Sequence, residues 1–287
     1  MKPTLSLVFI IMNMINIKVL KKISFFSLSI LLSLSSLQAF GFNEPLKTEL
    51  DNINPKQILM VGNSFVYYNN GMHNPLIKMI RSTHTMRDAY KIRSITINGS
   101  SLTWHDIRSY VTNPNIGSFG FTKENKLKKI KKTPFDLAIM HDCSRCPVDD
   151  SRKKIFHKIV AAHVKTLREK NIEPMLMMTW PYKDSPSMTK KLAREYVKAA
   201  NKNKILVAPV GLAFAEINKN FPEINLYTSD LRHPSKEGTY LAACVLYASI
   251  YKMNPEGNVV KFDIDSKTRK TLQKVAWITS QNFYKGR

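Results

Sequence analysis

Five apolar runs of strand length, at residues 57–61, 92–97, 135–140, 174–179 and 205–208, are separated by longer segments of helical period at 74–83, 101–111, 151–170 and 188–203. Two more helical segments follow, at 236–252 and 266–284. Strands that alternate with helices pair in parallel, because the crossover helix returns the chain to the end of the sheet where it started. The pattern predicts an α/β fold: one doubly wound, five-stranded parallel sheet covered by helices on both faces, a three-layer α/β/α sandwich. No linker or internal repeat interrupts residues 40–287, which are expected to form a single domain. In such a sheet a ligand lies outside the carboxyl ends of the strands, where the strand order reverses. That rule singles out Ser64 after the first strand, Asn98-Gly99 after the second, His141-Asp142 after the third and Trp180-Pro181-Tyr182 after the fourth.

The first forty residues are different in kind. Lys18, Lys21 and Lys22 precede an apolar, serine-rich stretch over 23–37 that ends at Gln38-Ala39-Phe40. A basic segment, a short hydrophobic segment and a small residue at the exit describe a secretory signal peptide over residues 1–39, cleaved after Ala39, and hence a periplasmic or secreted protein. An uncleaved amino-terminal membrane anchor is the alternative, although the charge-free run is short for a membrane span.

Of the formal charge of +23, the four lysines of the leader account for four, and +19 stays with residues 40–287. A surplus of that size concentrates anionic partners. Export points to acidic glycans or an anionic envelope surface and argues against nucleic acid. No alternation of basic and aromatic residues typical of RNA-binding modules accompanies the charge. Its densest run, at 126–132, reads equally well as a solvated basic face. Cys143 and Cys146 stand in Cys-Ser-Arg-Cys, and an oxidising compartment would allow a bridge between them, with Cys244 left as a buried thiol. The pair lacks the second ligand pair that a zinc site would need.

Residues 58–68 read ILMVGNSFVYY. Glycine, asparagine and serine are ordinary turn and cap residues, so these eleven residues by themselves fit a helix cap as well as a nucleophile. The segment at 227–238, YTSDLRHPSKEG, adds the context. Asp230 and His233 are three apart, a spacing at which one turn of chain brings a carboxylate to an imidazole, and Pro234-Ser235 suits the start of the next helix, with Ser235 as its cap. A serine nucleophile needs a base to take its proton, and the base needs an acceptor to fix its tautomer and stabilise its charged form. Ser64, Asp230 and His233 supply those three types in that chain order. His141 competes for the base role because it too lies at a strand end.

Together, Gly62-Asn63-Ser64-Phe65 after the first strand, Gly99 after the second and Asp230-x-x-His233-Pro234-Ser235 near the carboxyl end resemble the SGNH/GDSL hydrolase superfamily, in a bacterial branch of exported proteins. The resemblance runs over nearly all of 57–252. It implies a flavodoxin-like sandwich and ester hydrolysis through an acyl-serine, with no metal or organic cofactor. It also implies Ser64 as nucleophile, His233 as general base, Asp230 as the carboxylate that orients it, and the backbone N–H groups of Ser64 and Gly99 as an oxyanion hole. The third block departs from the superfamily pattern, which usually reads Gly-x-Asn-Asp and supplies a further donor from its Asn. Here the chain reads Met140-His141-Asp142-Cys143-Ser144, so the third donor is a ring N–H of His141, the hydroxyl of Ser144, or absent. Asn63 replaces the usual Asp and keeps its capping chemistry. No second glycine follows Ser64, unlike the Gly-x-Ser-x-Gly elbow of α/β-hydrolases.

Aromatic residues gather near the expected crevice: Tyr67, Tyr68, Trp104, Trp180 and Tyr182, the last two read as substrate-binding. With export and positive charge, they favour an O-acyl ester on an anionic carbohydrate as substrate. A lysophospholipid or other acyl lipid is the runner-up, and a glycan-binding domain with little catalysis is the reading from another class.

Overall fold

A computed structural model of the protein describes residues 44–113, 118–121, 124, 126–130 and 135–285. The expected signal peptide, residues 1–39, lies outside them. Among the described residues no helix is long and apolar enough to cross a membrane.

β1 (Gln57–Gly62) is buried at all six residues and pairs in parallel with β2 (Lys91–Thr96) on one side and β5 (Leu137–Met140) on the other. β6 (Glu173–Met177) and β7 (Leu206–Ala208) extend the sheet in the order β2-β1-β5-β6-β7, every neighbour parallel. The continuous burial of β1, β5 and β7 is what a sheet covered on both faces requires. β2, at the edge, is only half-buried, which fits its Lys, Arg, Ser and Thr content. The order reverses between β1 and β5, so the crevice for a ligand lies at the carboxyl ends of those two strands.

The helices form two groups. α2 (His73–Thr83), α6 (Val210–Asn220), α7 (Lys236–Tyr251) and α8 (Ser266–Lys285) pack on one another, as do α3 (Ile107–Thr112), α4 (Lys153–Arg168) and α5 (Met188–Asn203). α7 is buried from Gly238 to Tyr251 and has no polar face, the pattern of a helix enclosed by neighbours. Its cap is Ser235, whose Oγ accepts from Gly238 N at 3.1 Å, as the sequence predicts.

The expected strands and helices are present with shifts of a few residues at most, except for 101–111. There the chain forms a 3-10 turn, Leu102–Trp104, and then α3. Four of the strands and helices have no counterpart in the sequence reading. α1 is a single turn, Ser64–Tyr67, directly after β1. α6 follows Pro209 as VGLAFAEINKN, where an apolar run gives little helical contrast. β3 (Ser118–Phe121) and β4 (Leu127–Ile130) form an antiparallel pair, so part of the basic run at 126–132 is strand.

Candidate active site

Asn63 follows β1 and starts the turn that carries Ser64. Its Oδ1 accepts from Phe65 N at 3.1 Å and caps α1, while its Nδ2 donates to Ser100 O at 2.9 Å. The second bond ties the turn after β1 to the turn after β2, and aspartate in its place could not make it. Ile97 N donating to Gly62 O (3.1 Å) and Tyr67 Oη donating to Asn98 Oδ1 (3.1 Å) join the same two turns. Gly99 between them has φ +66°, and a Cβ there would meet nothing within 4 Å. Backbone conformation, not lack of space, therefore calls for glycine. Among the described residues neither Ser64 N–H nor Gly99 N–H donates to a protein acceptor.

The Asp230–His233 segment is a tight loop closed by the antiparallel bridge of Tyr227 with Pro234 and by Thr228 N donating to His233 O at 2.9 Å. Leu231 at its tip has φ 62°, a conformation costing a non-glycine residue roughly 1–2 kcal/mol and met most often where function holds it in place. The loop is secured to the turn after β6 by Trp180 Nε1 donating to Arg232 O (3.0 Å) and Lys183 N donating to Leu231 O (2.9 Å). The result brings together residues 169 positions apart: Ser64 Oγ lies 2.8 Å from His233 Nε2. On its other side, His233 Nδ1–H donates to Asp230 Oδ2. Asp230 Oδ1 accepts from the backbone N–H groups of Arg232 and His233, both at 3.0 Å, and from Thr228 Oγ1 at 2.8 Å. Burial by itself raises the Asp230 pKa, but these bonds, led by that from the His233 ring, outweigh it and hold the carboxyl well below its usual range. A hydroxyl, an imidazole and an ionised carboxylate thus stand in line, which is the arrangement needed to move a proton off the hydroxyl.

His141 is elsewhere engaged. Its Nδ1–H donates to Asp142 O at 3.0 Å, and its Nε2 accepts from Asn63 N at 3.4 Å. With both ring nitrogens occupied by backbone, the ring does not offer the free N–H expected of a third oxyanion donor. It occupies the space a side chain at residue 62 would need, since a Cβ on Gly62 would come within 2.0 Å of His141 Nε2. Complete burial is the main reason its pKa falls to about 4, so the ring is neutral at pH 7. Two more histidines lie buried nearby: His105, whose Nε2 meets Ser100 Oγ at 3.0 Å, and His163, whose Nε2 meets Leu102 O at 3.0 Å. Burial lowers the pKa of both, that of His105 to about 4.

The expectation that Trp180 binds substrate is corrected by its position. It is 0% exposed, stacked between Phe65 (4.5 Å) and Phe214 (4.4 Å), with its indole N–H satisfied within the protein. Tyr182 is partly exposed: its hydroxyl lies 2.6 Å from Ser144 Oγ, and the Arg232 guanidinium covers its ring at 4.8 Å. The ordered pair of hydroxyls has two hydrogens and needs one for its mutual bond, leaving the other to donate elsewhere. Among the described residues the exposed aromatics are Trp104 (62%) and Tyr67 (40%), on the chain that follows β2 and β1. The sequence reading placed Tyr68 near the crevice without a partner and missed Asn69; both contact the His233 segment directly: Tyr68 stacks on the imidazole and Asn69 Nδ2 donates to Pro234 O at 2.8 Å. Asn69-Asn70-Gly71 is a turn signal in sequence, but nothing in it names the distant partner.

Among the described residues one group of metal-ligating types converges, Asp142 with Cys143 and Cys146, with donor atoms within 4.8 Å of one another. Cys143 and Cys146 are joined in a disulfide, which removes the thiolates that a zinc ion would take. Asp142 Oδ1 is used inside the protein, accepting from Leu102 N (2.8 Å) and Cys143 N (2.7 Å), and thereby ties the turn after β5 to the turn after β2.

No protein-family model matches the sequence, and none of the curated proteins does. Solved structures do match in fold. A DUF4886 family protein from Bacteroides uniformis has a TM-score of 0.55 at 19% identity, covering 77% of this chain and 93% of that one. An inferred SGNH hydrolase from Slackia heliotrinireducens has 0.51 at 22% identity, over 69% and 100% of the two chains. An acetyl xylan esterase has 0.51 at 15% identity, over 67% and 98%. The fold is that of SGNH hydrolase-like proteins.

Proposed function

We propose that the protein is an exported serine esterase that hydrolyses an ester through an acyl-serine intermediate, with an O-acetyl group on a carbohydrate as the substrate class. The observation that carries the proposal is the line of Ser64 Oγ, His233 and Asp230 at the carboxyl end of β1, where a parallel sheet of this order presents its ligand site. In the proposed reaction Ser64 Oγ attacks the acyl carbon while His233 Nε2 takes the hydroxyl proton, and Asp230 stabilises the resulting imidazolium. The N–H groups of Ser64 and Gly99 face the oxyanion. His233 then gives the proton to the departing alcohol oxygen. A water molecule, deprotonated in turn by His233, attacks the acyl-serine; the carboxylic acid leaves and Ser64 recovers its proton.

The substrate class rests on Trp104 and Tyr67, large aromatic surfaces left open to solvent on the segments that follow β2 and β1, and on the charge of +19 outside the leader, which favours an anionic polymer. An acetyl xylan esterase among the proteins of this fold agrees with that choice. Export rests on the leader at 1–39. With His141 unable to donate, two backbone N–H groups carry the hole unless the Ser144–Tyr182 pair joins them. A missing donor corresponds to a turnover roughly 10²–10³-fold below that of a complete hole.

Hydrolysis of an activated acetyl ester by the wild type, Ser64→Ala and His233→Ala tests the reading. Turnover that both substitutions abolish supports it, and acetylated oligosaccharides against lysophospholipids then decide the substrate. No turnover by folded wild type on any of these would sink it in favour of a glycan-binding domain.

A further inference from the structure

Three consecutive residues after α1 adopt the left-handed region: Asn69 (φ 54°), Asn70 (φ 63°) and Gly71 (φ 85°). L-residues enter it reluctantly, asparagine less so than most, and a run of three needs compensating contacts. Those contacts are made with the His233 segment and the core. The Tyr68 ring lies flat on the His233 imidazole, with centroids 4.2 Å apart and planes 7° from parallel. Asn69 Nδ2 donates to Pro234 O, in the residue after His233, and to Thr239 Oγ1 on α7, both at 2.8 Å. Below the turn, Met72 is fully buried and its N–H donates to Val66 O at 2.7 Å.

We infer that Tyr68, held by the Asn69–Gly71 turn, is a positioning residue for His233: its ring fixes the plane of the imidazole and favours the imidazolium that forms when Ser64 gives up its proton. The other contacts on the ring set its edges. Phe65 meets it edge-on at 5.7 Å, Asp230 takes Nδ1–H and Ser64 faces Nε2. The titratable groups that meet the imidazole are Asp230 from its own loop and Tyr68 from the exit of α1; the Arg232 guanidinium lies over Tyr182. A cation is attracted to an aromatic face, so a flat stack on tyrosine stabilises the protonated ring relative to the neutral one. The kinetic part of the inference rests on the esterase reading, whereas the effect on His233 belongs to the resting protein.

The test follows the His233 ring resonances by NMR in the full chain, comparing wild type with Tyr68→Phe, Tyr68→Leu and Asn69→Gly. The last keeps the left-handed conformation and removes only the carboxamide. Tyr68→Leu is expected to abolish the ring-current displacement of the His233 Cε1–H, because the ring that now lies flat on the imidazole is gone. Tyr68→Phe should keep the displacement, and Asn69→Gly should weaken it. A folded Tyr68→Leu protein whose His233 Cε1–H resonates as in wild type overturns the inference, as does a Phe variant that moves it as far as Leu. On an activated acetyl ester, Tyr68→Leu should lower kcat roughly three- to fivefold at constant KM. A rise in KM alone would make Tyr68 a substrate contact instead. If wild type hydrolyses no ester, the esterase reading fails, and the His233 resonances still decide the role of Tyr68.

Discussion

Acid should destabilise this protein well above the pH at which carboxylates are protonated. His105 and His141 are enclosed beneath the candidate site, and burial lowers each pKa from about 6.5 to about 4. In the unfolded chain both titrate near 6.5, so between 6.5 and about 4 the unfolded state binds protons that the folded state refuses. Stability is therefore complete above pH 6.5, falls as pH drops through the window and levels off for these groups below about 4. Each histidine contributes about 3 kcal/mol by the end of the window, and the pair about 6, a large fraction of the 5–15 kcal/mol typical of a domain. His73 and His163, also lowered by burial, add to the slope, while Asp142, whose pKa burial raises, works against it. Urea unfolding at pH 7, 6, 5 and 4.5 should show the free energy falling by roughly 3 kcal/mol per unit in the lower half of the range. His105→Gln keeps a hydrogen-bonding group facing Ser100 Oγ and removes the titration, so it should flatten the slope by about 1 kcal/mol per unit. A wild-type stability that is flat from pH 7 to 4.5 would refute the argument, because it would mean that these rings are protonated as readily inside the protein as outside.

Three further outcomes follow from the site. Asp230→Asn leaves the loop hydrogen bonds largely replaceable but removes the charge beside His233, so kcat on an activated ester should fall about 10³–10⁴-fold with the fold intact by circular dichroism. Asn63→Asp removes the donor to Ser100 O and sets a carboxylate against a carbonyl; thermal melting should show a loss of about 1–3 kcal/mol, and an unchanged melt would mean that the two turns are held by their other bonds alone. Cys143→Ala with Cys146→Ala opens a loop of four residues and should cost about 2 kcal/mol in urea unfolding, with wild type under reductant behaving like the double variant.

Much of the architecture was legible because it is written in local periodicity. Uninterrupted apolar runs marked the buried strands, and the segments between them implied parallel pairing and a crevice at the carboxyl ends. Asp230 and His233, three residues apart, could be paired from spacing, and Ser235 could be named as a cap because its bond to Gly238 N is local. α6 was hidden because an apolar segment after a proline has no polar face to set its period, and β4 because its lysines read as a solvated surface. Side-chain direction was beyond reach for the same physical reason at each misplaced residue. His141 and Trp180 do follow the ends of strands, but whether a ring turns toward solvent or into the core depends on partners from elsewhere in the chain: Asn63 for the one, Phe65 and Phe214 for the other. The amino-acid sequence by itself determined the sheet, its topology and the types of group brought to one end of it. Only the tertiary structure decided which of those groups touch. A contact such as Ser64 to His233, spanning 169 residues, or Tyr68 flat on the same imidazole, is set by how the loops pack on the sheet, and no local pattern encodes that packing.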